Sequence, residues 1–162
     1  MKHFHFIGIG GISMSSLACI LKSRGYVVSG SDIKETPITR SLVEQGISVA
    51  IGQRAENIQP GIDVVVYTAA VHEENPELIQ ARKSVPRVIE RSDLLGELMD
   101  EYEHSIGIAG THGKTSTSTM LSYIFLETQL DPTITIGGIL ENLHSNYRIG
   151  HSSYFIAEAC EY

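Results

Sequence analysis

The chain has 162 residues, of which 42% are hydrophobic and 19% charged, and its formal net charge is −7. These values are typical of a soluble globular protein, and the acidic balance argues against a nucleic-acid partner held by a basic surface. No apolar run approaches the roughly 18 residues that a membrane span needs, and the N-terminus lacks the pattern of a signal peptide. The two cysteines form no C-x-x-C pair. We therefore expect a cytoplasmic protein with reduced thiols and no membrane partner.

The N-terminal segment predicts a strand, a glycine-rich turn, a helix and a second strand. The first strand covers residues 3–7, the turn covers residues 8–13, and the second strand ends at Asp32. This order is that of the dinucleotide-binding fingerprint, in which an acid lies about 20 residues beyond the last glycine. Ser13 stands where the fingerprint has its third glycine, so we expect different helix packing there. The pattern predicts a nucleotide-like ligand without saying which one.

Two histidines of the first strand, His3 and His5, point to the same side under the two-residue period of a strand. Two strand histidines without a third ligand nearby are more often structural or solvent-facing than metal-binding. We interpret this pair as structural.

The alternation of strands and helices continues to about residue 92. The β-branched run at 63–67 is typical of a strand buried on both faces of a parallel sheet, and it is followed by Thr68 and Ala69 at the carboxyl edge, where ligands bind in open α/β sheets. The remaining predicted elements are helices that start at Thr36 and Asn75, strands at 47–51 and 88–89, and a helix at 92–102. We predict an α/β fold with a Rossmann-like parallel-sheet domain at residues 1–92 and a linker helix at 93–104.

A second strand-turn-helix unit begins at Ser105 and has the order of a phosphate-binding loop. The turn reads Gly110-Thr111-His112-Gly113-Lys114-Thr115. Glycines allow backbone N–H groups to turn toward phosphates, and the helix start adds further donors and a positive dipole end. In such loops the lysine reaches the β/γ-phosphates and the hydroxyl binds Mg²⁺. Ile108 stands where the usual pattern has an earlier glycine, so the match is incomplete.

The helix after this loop is rich in Ser and Thr, which are poor helix formers. Its apolar residues recur at helical spacing. We expect packing through Met120, Leu121, Ile124 and Phe125 to hold the helix in place.

A predicted strand near the end of the sequence, at 154–157, carries Glu158 at its tip. A carboxylate that lies beside a phosphate loop is well placed to hold Mg²⁺ directly or through water. Without the loop, a solvated acid would be the simpler interpretation. Residues 105–162 are too few for a complete phosphate-loop domain, so we expect an incomplete ATP-binding P-loop domain and a longer parent protein. Its exposed sheet edges would favour self-association.

These motifs resemble the Mur ligases of bacterial cell-wall synthesis, and the resemblance covers essentially the whole chain. The loop at 110–115 is much more specific than the first glycine turn. The residues that carry the resemblance are 5–15, 29–32, 75–77, 91–99, 110–115, 131–133, 137–138 and 157–161.

The resemblance implies a three-domain enzyme whose first domain binds a UDP-sugar, whose second binds ATP and whose third brings the amino acid. The carboxylate of UDP-N-acetylmuramate would be activated as an acyl phosphate, and the amine of L-alanine would displace the phosphate. Such phosphoryl transfer needs charge neutralisation and positioning rather than a protein nucleophile. This chain alone would be a truncated, inactive portion of an ATP-dependent ligase.

The resemblance also implies roles for individual residues. The catalytic residues would be Lys114 and His112, and Mg²⁺ would be held by Thr115 and Glu158. The ATP phosphates would be bound by Gly110, Thr111, His112, Gly113, Lys114, Thr115 and Ser116. The UDP-sugar would be bound by Gly10, Gly11, Ile12, Ser13, Asp32, Thr68 and Ala69.

Three positions depart from the family pattern. Ser13 replaces a glycine, Ser116 stands where a threonine-like residue is usual, and Cys160 replaces an aspartate. The serine at 13 bears on the packing of the substrate loop. A thiol at 160 would support a metal shell less well than a carboxylate.

Three alternatives stay open at this point. Another Mur-type ligase, such as the one that recycles muropeptides by joining a tripeptide, would share most of these motifs, although the first 30 residues favour the L-alanine reaction. An NAD(P)-dependent oxidoreductase would use residues 1–92 but would give the phosphate loop no task. The third alternative is a non-catalytic nucleotide-binding module.

Overall fold

The computed structural model describes residues 1–159, so the departure at Cys160 lies outside the described residues. The chain divides into two compact units, of which the first is Met1–Leu94 and the second begins at Leu95. This division falls within the predicted linker at 93–104. The domain bounds themselves stay a prediction.

The first unit contains a five-stranded sheet in which every strand pair is parallel. Its strands are β1 His3–Ile7, β2 Val27–Asp32, β3 Ser48–Ile51, β4 Val64–Tyr67 and β5 Arg87–Glu90. They lie in the order β3-β2-β1-β4-β5. This arrangement confirms the predicted Rossmann-like parallel sheet.

The helices that follow these strands are α1 Ile12–Ser23, α2 Pro37–Glu44, α3 Pro76–Ser84 and α4 Arg91–Asp100, and a 3-10 turn covers Ala55–Asn57. The start and end of α4 differ by one and two residues from the predicted 92–102, which is the usual uncertainty of helix boundaries. Across residues 1–159, no helix is both long and apolar enough to cross a membrane.

The starts of α2 and α3 follow the chemistry of helix capping. The side chains of Thr36 and Asn75 accept hydrogen bonds from backbone N–H groups of the first helical turn. Pro37 and Pro76 occupy the first helical positions, where a missing N–H costs nothing. Both predicted helix starts are confirmed.

The central strands β1 and β4 are buried on both faces of the sheet. Phe6 and Ile7, which point to opposite faces as neighbours in a strand, are both fully buried. Val64, Val65 and Val66 are also buried, at 3% exposure or less. The run at 63–67 is therefore an interior strand, as its β-branched composition predicts.

The second unit contains a smaller, mixed sheet. Its elements are β6 His104–Ile108, α5 Lys114–Glu127, β7 Thr133–Leu140, β8 Ser145–Arg148 and β9 Tyr154–Glu158. The strand order is β6-β9-β7-β8, in which only β8 is antiparallel to its neighbour. The pairing of β6 with β9 confirms that the strand of Glu158 lies beside the phosphate-loop strand. The sequence did not predict β8, because its Ser-Asn-Tyr-Arg segment has no β-branched residue.

The packing prediction for α5 is wrong for two of its four residues. Leu121 and Phe125 pack against the buried apolar cluster of β7 and β9. Met120 and Ile124, by contrast, are 63% and 59% exposed. The four residues form two neighbouring stripes on the helix, and only one stripe faces the sheet.

Two serines complete the buried face of α5. Ser118 and Ser122 are fully buried, and their hydroxyls donate to the carbonyls of Thr115 and Ser118 at 3.0 and 2.7 Å. The Ser122 hydroxyl is thereby satisfied within the helix, whereas the single Ser118 proton is shared with a second acceptor, Glu158 Oε2, at 3.3 Å. Small side chains at these positions let the helix backbone lie close to the sheet.

Candidate functional site

The register of the first sheet brings most of the predicted substrate residues to one edge. Ile7 of β1 pairs with Ser31 of β2 and with Tyr67 of β4. The turn at 8–13, together with Asp32 and Thr68, therefore emerges from three adjacent strands at the same carboxyl edge. We call this the nucleotide edge, since ligands of open α/β sheets bind at this position.

The glycine turn is tied to the end of β2 by its own backbone. The N–H groups of Gly8 and Ile9 both donate to the carbonyl of Ser31, at 2.8 and 2.9 Å. The N–H of Gly10 donates to Asp32 Oδ2 at 2.8 Å, and a Cβ at position 10 would lie 2.7 Å from that oxygen. Asp32 thus uses one carboxylate oxygen to shape the turn.

Ser13 is accommodated at the start of α1 without loss of packing. Its hydroxyl accepts a hydrogen bond from Arg91 Nη1 at 3.2 Å, and the helix residues from Met14 to Leu21 are all buried behind it. Gly11 and Ile12, which precede it at the helix start, are exposed. The expectation of different packing at position 13 is therefore not reflected in a looser helix.

Thr68 and Ala69 follow β4 at the same edge. Thr68 is half-buried, and its hydroxyl accepts from the N–H of Ala70 at 3.3 Å. Ala69 is exposed. Ala69 and part of Thr68 are therefore accessible to solvent at the nucleotide edge.

The phosphate loop connects β6 to α5 in the second unit. Gly113 has a left-handed φ of 76° and is the N-cap of α5, so no side chain caps the first N–H groups of the helix. Such N–H groups have no partner within a helix and carry its positive dipole end. Lys114 Nζ donates to the carbonyl of Gly110 at 2.5 Å, which holds the ammonium over the loop. This arrangement is suited to an anion.

The other predicted loop residues are displayed toward solvent. These exposed residues are Thr111, His112, Thr115 and Ser116. Their side chains are therefore accessible from solvent. Ser116 lies in the first turn of α5.

Glu158 lies beside the start of α5 and is only 7% exposed. Its Oε1 accepts from the Thr115 hydroxyl at 2.9 Å. Its Oε2 accepts from the N–H of Gly137 at 2.8 Å and from the Ser118 hydroxyl at 3.3 Å. The structure thus joins the two predicted metal ligands. The contacts of Ser118 and Gly137 with Glu158 were not predicted. The glycine pair at 137–138 is a signal for the second, and no local pattern marks Ser118.

The donors at this site fit Mg²⁺ and a nucleotide phosphate. Mg²⁺ prefers oxygen ligands and is usually held by one or two carboxylates together with phosphate oxygens and water. Thr115 and Glu158 supply a hydroxyl and a carboxylate at hydrogen-bond distance from each other. Among residues 1–159 there is no cluster of three His, Cys, Asp or Glu side chains that could hold a metal ion unaided. Thr115 and Glu158 would supply two oxygen ligands to such a cation, beside phosphate oxygens and water.

The two strand histidines do share one face, as predicted. His3 Nε2 and His5 Nδ1 each lie 2.8 Å from the hydroxyl of Ser29. Burial lowers the pKa of His3, nearby His5 lowers it further, and Asp63 opposes both effects. His5 itself is buried and makes a second contact, to Glu77, which is taken up below.

The family of the chain follows from comparison with known proteins. Residues 3–103 match the Mur ligase family, catalytic domain, which is more than half of the chain. The chain belongs to the Mur ligase family.

Relatives within the Mur ligase family share about half of the residues of this chain. The UDP-N-acetylmuramate–L-alanine ligase of Agathobacter rectalis is 57% identical over 160 residues, which cover 99% of this chain and 35% of that protein. The enzyme of the same name from Clostridium perfringens is 50% identical over 161 residues, with the same coverage. The chain thus spans about a third of the length of the curated relatives it matches.

Solved structures of Mur ligases have the same fold. The UDP-N-acetylmuramate-alanine ligase of Thermotoga maritima superposes with a TM-score of 0.89 at 32% identity, covering 98% of this chain and 37% of that one. The UDP-N-acetylmuramate:L-alanyl-gamma-D-glutamyl-meso-diaminopimelate ligase of Neisseria meningitides gives the same TM-score at 34% identity, covering 100% and 53%. The fold alone therefore does not distinguish these two kinds of Mur ligase.

Proposed function

We propose that this chain is part of an ATP-dependent ligase that joins L-alanine to UDP-N-acetylmuramate through an acyl phosphate, in cytoplasmic peptidoglycan precursor synthesis. The proposal assigns UDP-sugar binding to residues 1–92, a linker to 93–104 and the first part of the ATP-binding domain to 105–162. Relatives named for this substrate pair are 50–57% identical to the chain, which supports the choice of sugar nucleotide and amino acid.

The observation that carries the proposal is the 2.9 Å contact between Thr115 and Glu158 at the start of α5. Together with Lys114, these residues place a hydroxyl, a carboxylate and an ammonium around one helix N-terminus. Phosphoryl transfer from a metal-bound nucleotide uses all three groups. A simple strand-to-helix turn has no need of them, and an oxidoreductase acting through residues 1–92 would leave them without a role.

ATP and Mg²⁺, when bound, supply the phosphoryl group and part of the charge neutralisation, and residues of this chain supply the rest. The N–H groups at the start of α5 would bind phosphate oxygens. The ammonium of Lys114 would stabilise negative charge on the phosphoryl group. Thr115 and Glu158 would hold the cation through oxygen. His112, exposed between the two loop glycines, is the second catalytic residue of the proposal.

The nucleotide edge of the first unit would receive the UDP-sugar. The turn from Gly10 to Ser13 and the uncapped start of α1 would face the pyrophosphate, because backbone N–H groups at a helix start favour an anion. Asp32 keeps the turn in shape through Gly10. The hydroxyl of Thr68 and the neighbouring Ala69 line the same edge.

Calorimetry with the purified chain tests this proposal. We expect UDP-N-acetylmuramate to bind and NAD to give no heat, and the reverse result would favour a dehydrogenase. A separate titration with MgATP tests the loop at 110–116. We expect no L-alanine-dependent release of ADP by this chain alone, and its detection would overturn the view that the chain is an inactive portion.

A second candidate is the ligase that joins L-alanyl-γ-D-glutamyl-meso-diaminopimelate to the same sugar nucleotide. The Neisseria meningitides ligase supports this candidate, because its structure has the same TM-score, 0.89, as the Thermotoga maritima L-alanine ligase. Both candidates would bind UDP-N-acetylmuramate, so calorimetry does not separate them. Ligation assays with L-alanine and with the tripeptide, on the product of the complete reading frame, would do so.

A further inference from the structure

A second buried carboxylate, Glu77, has no role in the function proposed above. It lies in the first turn of α3 and is completely buried. Its Oε1 lies 2.6 Å from His5 Nε2, and its Oε2 accepts from the Ser31 hydroxyl at 2.8 Å and the Asn57 amide at 3.1 Å. We call these four residues the Glu77 network. A buried carboxylate with three donors restrains all of them.

The directions of the hydrogen bonds in this region follow from chemistry. An ionised Glu77 can only accept, so His5 donates through Nε2–H. When the imidazole of His5 is neutral, its Nδ1 accepts, which requires Ser29 to donate to His5 and to accept from Nε2–H of His3. His3 lines a cleft of about 350 Å³. The chain of bonds therefore runs from this cleft to the buried carboxylate, and it assigns one tautomer to each imidazole.

One arm of the Glu77 network supports the glycine turn. The Ser31 hydroxyl binds the carboxylate, and the Ser31 carbonyl accepts the N–H groups of Gly8 and Ile9. Asp32, the next residue, shapes the same turn. A shift of β2 at this point would move both supports of the turn together.

A second arm reaches Asp32 from the opposite side. The amide of Asn57 donates to Glu77 and also to the carbonyl of Gly52, at 2.8 Å. The N–H of Gly52 in turn donates to the carbonyl of Asp32 at 2.7 Å. Asp32 is therefore hydrogen-bonded both to the glycine turn and to Gly52, and the Glu77 carboxylate restrains these two segments through Ser31 and Asn57.

We propose that Glu77 is a positioning residue for the nucleotide edge. Its carboxylate fixes Ser31 and Asn57, and these fix the glycine turn and Asp32 in the geometry that receives the ligand. The identity of the ligand rests on the proposed function, whereas the geometric claim does not. Loss of the carboxylate should therefore loosen the turn before any ligand is added.

The first test is amide hydrogen exchange of the ligand-free chain, measured by NMR. Glu77→Gln keeps the size of the side chain but sets an NH₂ group against at least one of three donors. We expect the amides of Gly8 and Ile9 to exchange about tenfold faster relative to Val65. The matched control is Glu73→Gln, because Glu73 lies on the surface and pairs with Arg82; it should change neither amide.

Two outcomes of this exchange experiment would overturn the proposal. Equal acceleration at Gly8, Ile9 and Val65 would show a general loss of stability rather than positioning. Unchanged exchange at all three would show that the carboxylate does not restrain the turn. If Glu77→Gln does not fold, Ser31→Ala removes a single donor and should give the same selective acceleration with a smaller amplitude.

The second test uses the ligand. We expect Glu77→Gln to weaken binding of UDP-N-acetylmuramate about tenfold and to leave MgATP affinity within about twofold. An unchanged affinity for the sugar nucleotide would overturn the proposal. If the unmodified chain does not bind UDP-N-acetylmuramate, the proposed function fails, and the exchange experiment still decides the geometric claim.

The third test reads the imidazole directly. Long-range ¹⁵N NMR of the unmodified chain should show His5 protonated at Nε2, and Glu77→Gln should alter that signal. Glu73→Gln should leave it unchanged. A neutral His5 protonated at Nδ1 would contradict the bond directions on which the network depends.

Discussion

Within residues 1–159, each unit of the chain buries one glutamate beside its sheet, and the two differ in what surrounds them. Glu77 is completely buried and bound by an imidazole, an amide and a hydroxyl. Glu158 is 7% exposed and accepts from two hydroxyls and a backbone N–H. A hydroxyl oxygen that donates its proton keeps lone pairs with which it can bind a cation beside a carboxylate, whereas the imidazole and amide N–H groups that donate to Glu77 offer none. The same side chain is thus suited to positioning in one unit and to metal binding in the other.

The largest effect that this comparison leads us to expect is on stability. Glu77→Ala removes the acceptor of two buried donors, His5 and Ser31, and of the half-buried Asn57 amide, so we expect the free energy of unfolding to fall by about 3 kcal/mol or more. Glu158→Ala should cost less, about 1–2 kcal/mol, because its hydroxyl donors can turn to other acceptors. Urea denaturation measures both. Glu73→Ala is the control, and an equal loss for Glu77 and Glu158 would contradict the comparison.

The next effect concerns the cation at the phosphate loop. Lys114→Met should weaken MgATP binding by about ten- to a hundredfold, since hydrogen bonds to charged groups contribute about 1.5–3 kcal/mol. Calorimetry measures the affinity. Lys83→Met, at an exposed position of α3, is the control. Unchanged MgATP affinity in Lys114→Met would remove the loop from the proposed function.

A smaller effect is expected from the proposed metal ligand itself. Glu158→Gln keeps hydrogen-bonding capacity but removes the charge. We therefore expect the ratio of ATP affinity with Mg²⁺ to ATP affinity without Mg²⁺ to be about tenfold smaller in the variant. ATP affinity measured in EDTA should barely change. Glu141→Gln, in the same unit and exposed, is the control. An equal loss with and without Mg²⁺ would show that Glu158 acts on folding rather than on the cation.

The smallest effect is a dependence of stability on pH, which arises beside the Glu77 network. Burial and His5 lower the pKa of His3 below its ordinary 6.5, against the opposing charge of Asp63; Glu56 lines the same cleft. As the pH falls, the unfolded chain therefore protonates His3 at a higher pH than the folded chain does. The free energy of unfolding decreases from about pH 6.5 downward and levels off once the pH is below the pKa of His3 in the folded chain.

The urea midpoint measured between pH 7.5 and 5 tests this expectation. His3→Gln should flatten that part of the profile, while His72→Gln, at an exposed loop position, should not. A steeper fall of stability in His3→Gln than in the unmodified chain would reverse the sign and contradict the assignment.

The sequence was sufficient for the features that depend on pattern. The β-branched run at 63–67 and the glycine turns predicted the parallel sheet and its carboxyl edge, because burial on both faces and turn geometry leave local signatures. Pairing of the strand before Glu158 with the strand before the phosphate loop was also predicted, and the register Ile108 to Glu158 confirms it. The functional roles of the site residues stay predictions.

Two features were not predictable from the sequence, because both depend on contacts between residues that are distant in the chain. Nothing near Glu77 indicates that its carboxylate reaches His5, which is 72 positions away. The stripes of Met120 and Leu121 on α5 have equal helical periodicity, so only the position of the sheet decides which one is buried. Tertiary contacts, rather than local propensity, settled both cases.

The close approach of β7 to the start of α5 limits which side chains can be accommodated at position 138. A Cβ at Gly138 would lie 2.6 Å from Thr115 Cγ2, so even alanine would force a shift of the Thr115 side chain, whose hydroxyl contacts Glu158. Ile139, the next residue, is 69% exposed and has room for many side chains. In a saturation mutagenesis library selected for nucleotide binding, we therefore expect glycine to be retained at position 138 and many different residues to be accepted at position 139.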